Sequence, residues 1–216
     1  MKSKRVVFCD FDGTITTEDT YVKVLEKFAP EAAAMFLPII FSRKMTLLEG
    51  IRQTIGSIPS VYYPQIIEHI AHCPVRPGLK EMLDFLNNYD ITFVVISGGL
   101  IDLVQAVLEE QKLIGQVKAI HAGQVDTTGK YLRVYSDIES KTELVAKALA
   151  MQKYPAAEKI AIGDSVTDIN MSLAADLVFA RDRLKGYLDT EEKSYITWSN
   201  FFDVRDHLAN RWQISP

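Results

Sequence analysis

The strongest constraint in this sequence is the stretch Val6-Val7-Phe8-Cys9-Asp10-Phe11-Asp12-Gly13-Thr14, in which four apolar residues run directly into two acids. A short apolar run that begins with two β-branched residues is typical of a strand buried on both faces of a sheet. The acids and the Gly-Thr turn follow at the carboxyl end of that strand, which is the edge where open α/β sheets bind ligands. Two carboxylates this close repel each other unless a cation lies between them or one of them holds a proton. The stretch therefore predicts a buried first strand that ends in a ligand-binding turn.

The acidic turn has two other interpretations. Asp and Gly are common turn formers, so this turn alone does not distinguish a chemical site from a simple chain reversal. A calcium loop that began at Asp10 would need an acid or amide at its fifth position, Gly at its sixth and Glu at its twelfth. This chain has Thr14, Ile15 and Tyr21 there, which excludes the calcium loop. The choice between a plain turn and a catalytic one depends on the rest of the chain.

Composition limits the classes of protein and partner. The chain has 216 residues, 48% hydrophobic and 24% charged, which supports a full core in one domain with an inserted subdomain. The net charge of −4 and the lack of basic runs argue against a nucleic-acid partner. The apolar stretch 35–41 is too short to cross a bilayer, and the apolar run 6–9 is too short for a signal sequence. We interpret Cys9 and Cys73 as buried apolar residues, which is typical of a protein in a reducing compartment. We therefore expect a cytoplasmic protein with no membrane partner.

Helical and strand patterns alternate along most of the chain. Residues 16–74 lack the alternation of apolar and polar residues that is typical of strands, and their pattern predicts four short helices. One of these helices begins with the capping-box pattern Thr46-Leu47-Leu48-Glu49. The later elements predicted are strands at 92–96, 159–162, 177–180 and 195–197, a β-hairpin over 123–134, a helix that begins near Lys141 and a closing helix over 201–212. This alternation favours a doubly wound, Rossmann-like parallel α/β sheet. We expect an α/β core domain of residues 1–15 and 75–216, with an all-helical cap of residues 16–74 inserted after the first strand.

Three of the predicted strands end in polar or acidic turns, which carry Asp10 with Asp12, Ser97, and Asp164 with Asp168. In a parallel sheet all three turns emerge at the same edge. A single acid after a strand is most often a helix cap, but three such ends in one sheet are harder to attribute to chance. Asp10, Asp12 and Asp164 together suit a hard cation. Mg²⁺ fits best, because it takes one or two carboxylates and keeps waters and a substrate phosphate.

Taken in order, these motifs resemble the four motifs of the haloacid dehalogenase (HAD) superfamily of phosphatases. The matching segments are Asp10-Phe11-Asp12-Gly13-Thr14, Ser97-Gly98-Gly99, Lys141 and Gly163-Asp164-Ser165-Val166-Thr167-Asp168. The resemblance covers the whole chain. It implies a HAD-like fold and a phosphoric monoester hydrolase that acts on a small-molecule phosphate ester through an aspartyl-phosphate intermediate, with Mg²⁺ as cofactor.

The resemblance also implies a role for each matched residue. Asp10 is implied as the nucleophile, and Asp12 as the acid that protonates the leaving oxygen and then deprotonates the attacking water. Lys141 is implied to neutralise charge on the phosphate and on Asp10, with Lys147 and Lys153 as alternative lysines for that position. The residues implied to bind the phosphate are Gly13, Thr14, Ser97, Gly98 and Lys141. The implied magnesium ligands are Asp10, the backbone carbonyl of Asp12, and Asp164, with Asp168 either as a further ligand or as a support behind the ligands.

The cap is similar to the caps of two branches of this superfamily. Phosphoserine phosphatases share the layout and the Ser-Gly-Gly motif, and they grip the amino acid with an acid from the first cap helix and an arginine from a later one. Glu18 or Asp19 would be that acid. The arginine falls near Thr54, where Arg52 is the only basic residue close by, and Thr167 stands where those enzymes usually have Asn.

Phosphatases of methionine salvage, which act on 2-hydroxy-3-keto-5-methylthiopentenyl-1-phosphate, are the closer match. The segments that resemble them are Phe28-Ala29-Pro30, Glu49-Gly50, Pro59-Ser60, residues 163–168 and Phe179-Ala180-Arg181-Asp182. The chain departs from them between Tyr135 and Ser140, where they carry a cysteine-rich insertion and this chain has no cysteine. The resemblance implies this substrate first, with phosphoserine or another small metabolite as the alternative.

The residues also leave other functions open. A phosphotransferase that passes the phosphoryl group to an alcohol would need the same motifs, because the acceptor is chosen when the cap closes. A non-catalytic, phosphate-sensing protein could retain the fold, although every chemical position here is filled, including Asp12. The oligomeric state is not specified by the sequence, with a homodimer as one option.

Overall fold

The computed structural model describes residues 5–42 and 44–216. The strands are β1 (Arg5–Cys9), β2 (Thr92–Leu100), β3 (Ala119–Asp126), β4 (Arg133–Tyr135), β5 (Glu158–Gly163), β6 (Leu177–Ala180) and β7 (Ile196–Thr197). They form one seven-stranded sheet with the order β4-β3-β2-β1-β5-β6-β7, in which only the β3–β4 pair is antiparallel. The predicted α/β fold with a largely parallel sheet is confirmed.

The helices account for the rest of the regular structure. They are α1 (Thr20–Phe28), α2 (Pro30–Phe41), α3 (Leu47–Ile55), α4 (Tyr63–Ala71), α5 (Leu79–Asn88), α6 (Ile101–Glu110), α7 (Lys147–Gln152), α8 (Ile169–Leu173), α9 (Asp182–Thr190) and α10 (Phe201–Trp212). Short 3-10 turns lie at Ser60–Tyr62, Ile114–Gln116 and Val166–Asp168. In the described part of the chain, no helix has both the length and the apolar character that a membrane crossing needs.

Strand β1 lies at the centre of the sheet because its apolar run can be buried on both faces. The four residues Val6–Cys9 are fully buried, and β1 pairs in parallel with β2 on one side and β5 on the other. The chain builds the sheet from β1 outward to β4 and then crosses back to β5, so the order reverses between β1 and β5. This reversal opens a crevice at the carboxyl ends of the two strands, which positions the turns that follow them.

Helices α1 to α4 follow β1 directly, as the sequence predicts for the inserted segment. Asp19 caps α1 by accepting a hydrogen bond from the backbone N–H of Val22, and the capping box of Thr46 and Glu49 opens α3. The two chain segments that join these helices to the sheet lie side by side in a short antiparallel contact between Thr16 and Val75. The division into a core and a cap at these positions stays a prediction.

The helix predicted to begin near Lys141 begins six residues later, at Lys147. Contacts of the Ser140 side chain and of helix α3 explain why the helix begins later. The Ser140 hydroxyl accepts hydrogen bonds from the backbone N–H groups of Thr142 and Glu143, which holds this segment in a turn. The carbonyl of Thr142 also accepts a hydrogen bond from the backbone N–H of Leu48 on α3. Residues 141–146 therefore form a loop that is held against α3.

Candidate active site

The acids predicted at the sheet edge come together in the structure. Asp10 directly follows β1 and is 2% exposed, and Asp164 directly follows β5. Carboxylate oxygens of Asp10, Asp164 and Asp168 lie within 4.8 Å of one another. Hard cations prefer oxygen ligands of this kind, so the donor set fits a magnesium ion.

The lysine that contacts Asp10 is Lys147, and the prediction of Lys141 for this position is wrong. Lys147 is 1% exposed and donates hydrogen bonds to Asp10 and, at 2.7 Å, to Asp168. Lys141 is exposed in the loop before α7. The later start of α7 explains the difference, because it makes Lys147 the first residue of the helix and points it at the end of β1. A sequence signal was present: Lys147 has apolar neighbours on both sides, in Val145-Ala146-Lys147-Ala148-Leu149.

Asp168 supports the cluster from behind. Its Oδ1 accepts a hydrogen bond from Lys147, and its Oδ2 accepts the backbone N–H groups of Asp164 and Ser165 at 3.0 and 3.1 Å. Gly163 makes this approach possible, since a Cβ atom there would lie 2.6 Å from the Asp168 carboxylate. With both oxygens occupied by the chain, Asp168 fits a support for the ligands better than a direct ligand.

The side chain of Asp12 points toward the first cap helix. Its Oδ1 accepts hydrogen bonds from the backbone N–H and the hydroxyl of Thr20, the first residue of α1. Its Oδ2 accepts one from the Ser97 hydroxyl at 3.3 Å. Thr20 was not predicted as a site residue, because a threonine at a helix start is typical of an ordinary helix cap. The contact makes the orientation of Asp12 depend on where α1 lies.

Gly13 and Thr14, which the resemblance implies as phosphate-binding residues, use their N–H groups and the Thr14 hydroxyl within the chain. The Gly13 N–H donates to the Thr16 hydroxyl, and the Thr14 N–H donates to the Phe11 carbonyl. The Thr14 hydroxyl donates to Asp164 Oδ1 at 3.2 Å, and Thr14 is fully buried. Their polar groups are thus used to hold the loop and Asp164, although Gly13 does line the pocket.

The other phosphate-binding candidates lie at the end of β2. Ser97 is fully buried, and its hydroxyl accepts a hydrogen bond from the backbone N–H of Gly99 at 2.9 Å. Gly98 lines the pocket, and a Cβ atom there would meet no atom within 4 Å, so open space lies beside its backbone. Ser97 therefore lies next to Asp12, and Gly98 faces the cavity at the same edge as Asp10.

The burial and close spacing of the acids change their pKa values. Burial, and next the charge of Asp168, raise the pKa of Asp10 to about 7. Burial, and next the charge of Asp10, raise the pKa of Asp164 to about 9. Burial alone would lower the pKa of Lys147, but the charges of Asp10 and Asp168 outweigh it and raise that pKa. A second cation among these carboxylates would favour their charged forms.

These residues form the floor of a cavity of about 720 Å³ between the sheet edge and helices α2 and α3. The side of this cavity formed by α2, α3 and the chain between them carries an apolar patch, which includes Ile40, Phe41, Met45, Leu47 and Ile51, next to the charged residues Lys44 and Glu49. A wall of this kind can bury an uncharged tail while the polar floor holds an anionic group.

Of the three cap residues predicted to set specificity, only Asp19 lines this cavity. Glu18 pairs with Lys23 near the surface, and Arg52 pairs with Glu139 with 48% of its side chain exposed. Tyr21, which was not predicted for this role, also lines the cavity, and its hydroxyl lies 2.8 Å from the hydroxyl of Thr54, which is buried behind it.

Comparisons with known proteins agree with this geometry. A family model described as haloacid dehalogenase-like hydrolase matches residues 7–172. A 2-hydroxy-3-keto-5-methylthiopentenyl-1-phosphate phosphatase from Microcystis aeruginosa is 50% identical over 207 residues, which cover 96% of this chain and 99% of that protein. A protein of the same name from Bacillus mycoides (strain KBAB4) is 32% identical over 220 residues, with 96% and 97% covered.

Solved structures with the same fold include two phosphoserine phosphatases. A phospho-aspartyl intermediate analogue of phosphoserine phosphatase has a TM-score of 0.71 at 20% identity, covering 99% of this chain and 100% of that one. The phosphoserine phosphatase from T. onnurineus in complex with NDSB-201 has a TM-score of 0.73 at 15% identity, with 96% of each chain covered. At these identities the likeness shows a shared fold.

Proposed function

The chain belongs to the haloacid dehalogenase-like hydrolase family and is a phosphoric monoester hydrolase, and we propose that it dephosphorylates 2-hydroxy-3-keto-5-methylthiopentenyl-1-phosphate in the cytoplasm with Mg²⁺ as cofactor. The observation that carries the proposal is the cluster of Asp10, Lys147 and Asp164 on the floor of a cavity that also carries an apolar patch on α2 and α3. The floor supports the chemistry, and the wall supports the choice of substrate.

Asp10 is the nucleophile of the proposed reaction. Its carboxylate oxygen attacks phosphorus and the P–O bond of the ester breaks, which leaves an aspartyl phosphate. Lys147 holds Asp10 in place and offers positive charge where the phosphoryl oxygens gather. Asp10, Asp164 and the Asp12 carbonyl would hold Mg²⁺, which when bound neutralises charge on the phosphate. Asp168 fixes Lys147 and the turn that carries Asp164.

Asp12 serves both halves of the reaction as acid and base. It gives a proton to the leaving oxygen in the first half and takes a proton from the attacking water in the second, when the bond between phosphorus and Asp10 breaks and inorganic phosphate leaves. Burial, and next the charge of Asp19, raise the pKa of Asp12 to about 6. A carboxyl with that pKa can act in either direction near neutral pH.

The cavity suits an uncharged methylthio tail better than the amino-acid part of phosphoserine. The resemblance places the arginine that grips the amino acid in phosphoserine phosphatases near Thr54, and that position here holds the hydrogen-bonded pair of Tyr21 and Thr54. The cations Lys44 and Arg183 line other parts of the cavity. Arg52, the basic residue nearest to Thr54 in the sequence, points outward and pairs with Glu139. The relatives from Microcystis and Bacillus that carry the same substrate in their names support the same choice.

The substrate assignment predicts a strong preference in a direct comparison. We expect kcat/KM for the methylthiopentenyl phosphate to exceed that for phosphoserine by about 100-fold or more, since Tyr21 and Thr54 occupy the place of the arginine that would pair with the substrate carboxylate, and loss of such a pairing costs several kcal/mol. The measurement is release of inorganic phosphate in the presence of Mg²⁺, with Asp10→Asn as the inactive control. Equal or faster hydrolysis of phosphoserine would overturn the choice of substrate and leave the phosphatase chemistry intact.

As a proposed metal ligand, Asp164 should lower the stability of the metal-free protein near neutral pH. The folded state holds a proton on this group that the unfolded chain releases, because its pKa is raised to about 9. Stability of the metal-free protein should therefore fall as the pH rises above the ordinary carboxyl pKa of about 4. Asp164→Asn should raise the metal-free Tm near neutral pH by about 2–4 °C, the shift that about 1 kcal/mol produces in a domain of this size.

Thermal melts with and without Mg²⁺ test this expectation. Magnesium should raise the Tm of the wild-type protein, because it binds the folded state alone, and should have little effect on Asp164→Asn. Asp176→Asn is the matched control, since Asp176 lies on the surface beside Lys159 and away from the cluster. An equal response to Mg²⁺ in the wild type and Asp164→Asn would contradict the assignment of Asp164 as a ligand.

A further inference from the structure

We propose that Arg76 is a positioning residue, which holds the Gly13–Thr14 loop and through it sets the place of Asp164. The inference rests on the proposed phosphatase reaction and adds to it a residue that no motif contains. Arg76 lies just before α5, at the point where the chain returns from the helical insertion to the sheet.

The contacts of Arg76 are unusual for a buried cation. The residue is 9% exposed, and its Nη2 and Nε donate to the carbonyls of Gly13 at 2.6 Å and Thr14 at 3.0 Å. Its guanidinium lies 5.5 Å from the centre of the Trp198 ring. In residues 5–42 and 44–216, no carboxylate forms an ion pair with it at 4.0 Å or less. Burying an arginine is costly because its charge loses water. Since Arg76 donates to two neutral carbonyls and not to a carboxylate, its contacts indicate that it holds the backbone in position.

The loop that Arg76 holds is in direct contact with Asp164. The Thr14 hydroxyl donates to Asp164 Oδ1, and a Cβ atom on Gly13 would lie 2.5 Å from Asp164 Oδ2. Gly13 adopts a positive φ of 74°, a conformation that Gly tolerates and that brings its backbone this close to the carboxylate. A small shift of the loop would therefore move Asp164, or open a gap beside it.

The N–H groups of the loop are fixed by the chain itself, which leaves its two carbonyls to Arg76. The N–H of Gly13 donates to the Thr16 hydroxyl and that of Thr14 to the Phe11 carbonyl. The planar fork of an arginine can serve two adjacent carbonyls at once, whereas the single ammonium of a lysine cannot match that geometry.

Arg76 also belongs to the joint between the insertion and the sheet. Its backbone N–H donates to the Ile15 carbonyl at 2.8 Å, and the preceding residue, Val75, pairs with Thr16. The same residue thus connects the returning chain segment to the outgoing one by its backbone and to the catalytic loop by its side chain.

Arg76→Met tests this role, and Arg181→Met is the matched control. Arg181 lies 5.3 Å from the same Trp198 ring, but it donates to Ser199 and pairs with Asp182 without touching the loop. We expect Arg76→Met to weaken Mg²⁺ binding about 10-fold or more, as loss of supporting hydrogen bonds around a metal site does. We expect kcat to fall by a similar factor, while Arg181→Met stays within about twofold of wild type.

Magnesium affinity is to be measured by calorimetry on the whole protein, so that the result does not depend on turnover. Arg76→Lys should recover only part of the affinity, because it restores the charge without the fork. If Arg76→Met does not fold, Arg76→Lys decides alone: wild-type affinity and kcat in that variant would overturn the proposal. A folded Arg76→Met with a lower Tm but wild-type Mg²⁺ affinity and kcat would also overturn it. If wild type binds Mg²⁺ yet hydrolyses no phosphate ester, the proposed function fails while the affinity test of Arg76 still stands.

Discussion

Replacing Lys147 with Met is expected to reduce kcat/KM by about 1,000-fold, whereas Lys141→Met should leave it within about twofold of wild type. The ammonium of Lys147 contacts Asp10 and Asp168 with 1% of its side chain exposed, so its charge acts in a site that water does not screen. Removing one fixed electrostatic contact of this kind typically costs 100- to 1,000-fold in kcat, and the nucleophile here also loses its support. Steady-state hydrolysis of an aryl phosphate measures both variants.

The two lysines form a matched pair because they lie six residues apart in one segment and differ in burial. Lys147→Met leaves two buried carboxylates without their partner, so its Tm must be measured alongside, and Lys147→Arg provides a second variant that keeps the charge. We expect Lys147→Arg to fold and to lose about 10- to 100-fold, because the larger guanidinium cannot occupy the ammonium position. Full activity in Lys147→Arg together with a large loss in Lys141→Met would return the role to Lys141.

Much of the sheet and its acids could be predicted from the sequence because those signals are local. The apolar run Val6–Cys9 can be satisfied only by burial on both faces, and a strand buried in that way must lie inside the sheet. Once the strands are parallel, Asp10 and Asp164 must emerge at one edge, whatever the loops between them do. The first and third turns could therefore be placed together before any coordinates were known.

The lysine could not be placed in the same way, because its position depends on where a helix begins. Apolar spacing over 144–149 is compatible with a start at either lysine. The actual start is set by the Ser140 hydroxyl and by a hydrogen bond from Leu48 on α3 to Thr142, two residues that lie 94 positions apart in the sequence. A long-range contact of this kind leaves no trace in local periodicity. The apolar neighbours of Lys147 were the better guide, because a lysine within an apolar run must find a buried partner.

The roles of Gly13 and Thr14 were missed for a related reason. A Gly-Thr turn after two acids has donors to offer, but the sequence does not show which groups the chain itself will occupy. In the fold, the Thr14 hydroxyl donates a hydrogen bond to Asp164. The carbonyls of Gly13 and Thr14 accept hydrogen bonds from Arg76, which lies 62 positions after Thr14 in the sequence. Such a contact can be read only after the two ends of the insertion are known to lie side by side.

Replacing Asp12 with Asn is expected to separate the two halves of the reaction. With an aryl phosphate, whose leaving group needs no protonation, Asp10 should still be phosphorylated, so about one equivalent of the phenol appears in a burst. The following hydrolysis should be about 100- to 10,000-fold slower than in wild type, because no base takes the proton from water. With the methylthiopentenyl phosphate, whose leaving oxygen is less acidic than a phenol, the first half should slow as well and the burst should vanish.

Rapid-mixing absorbance and acid-quench detection of protein-bound phosphate measure the two phases. Asp10→Asn is the control that must show neither a burst nor bound phosphate, because it lacks the attacking oxygen. Asn at position 12 keeps an oxygen that can accept from Thr20, and its amide nitrogen can donate to the Ser97 hydroxyl, so the variant retains most of the packing around α1. An Asp12→Asn protein that turns over an aryl phosphate at a uniformly reduced rate, with no burst, would show that Asp12 is not the base of the second half. The water would then have to be activated by another carboxylate, and Asp19, which lines the same cavity, is the first candidate.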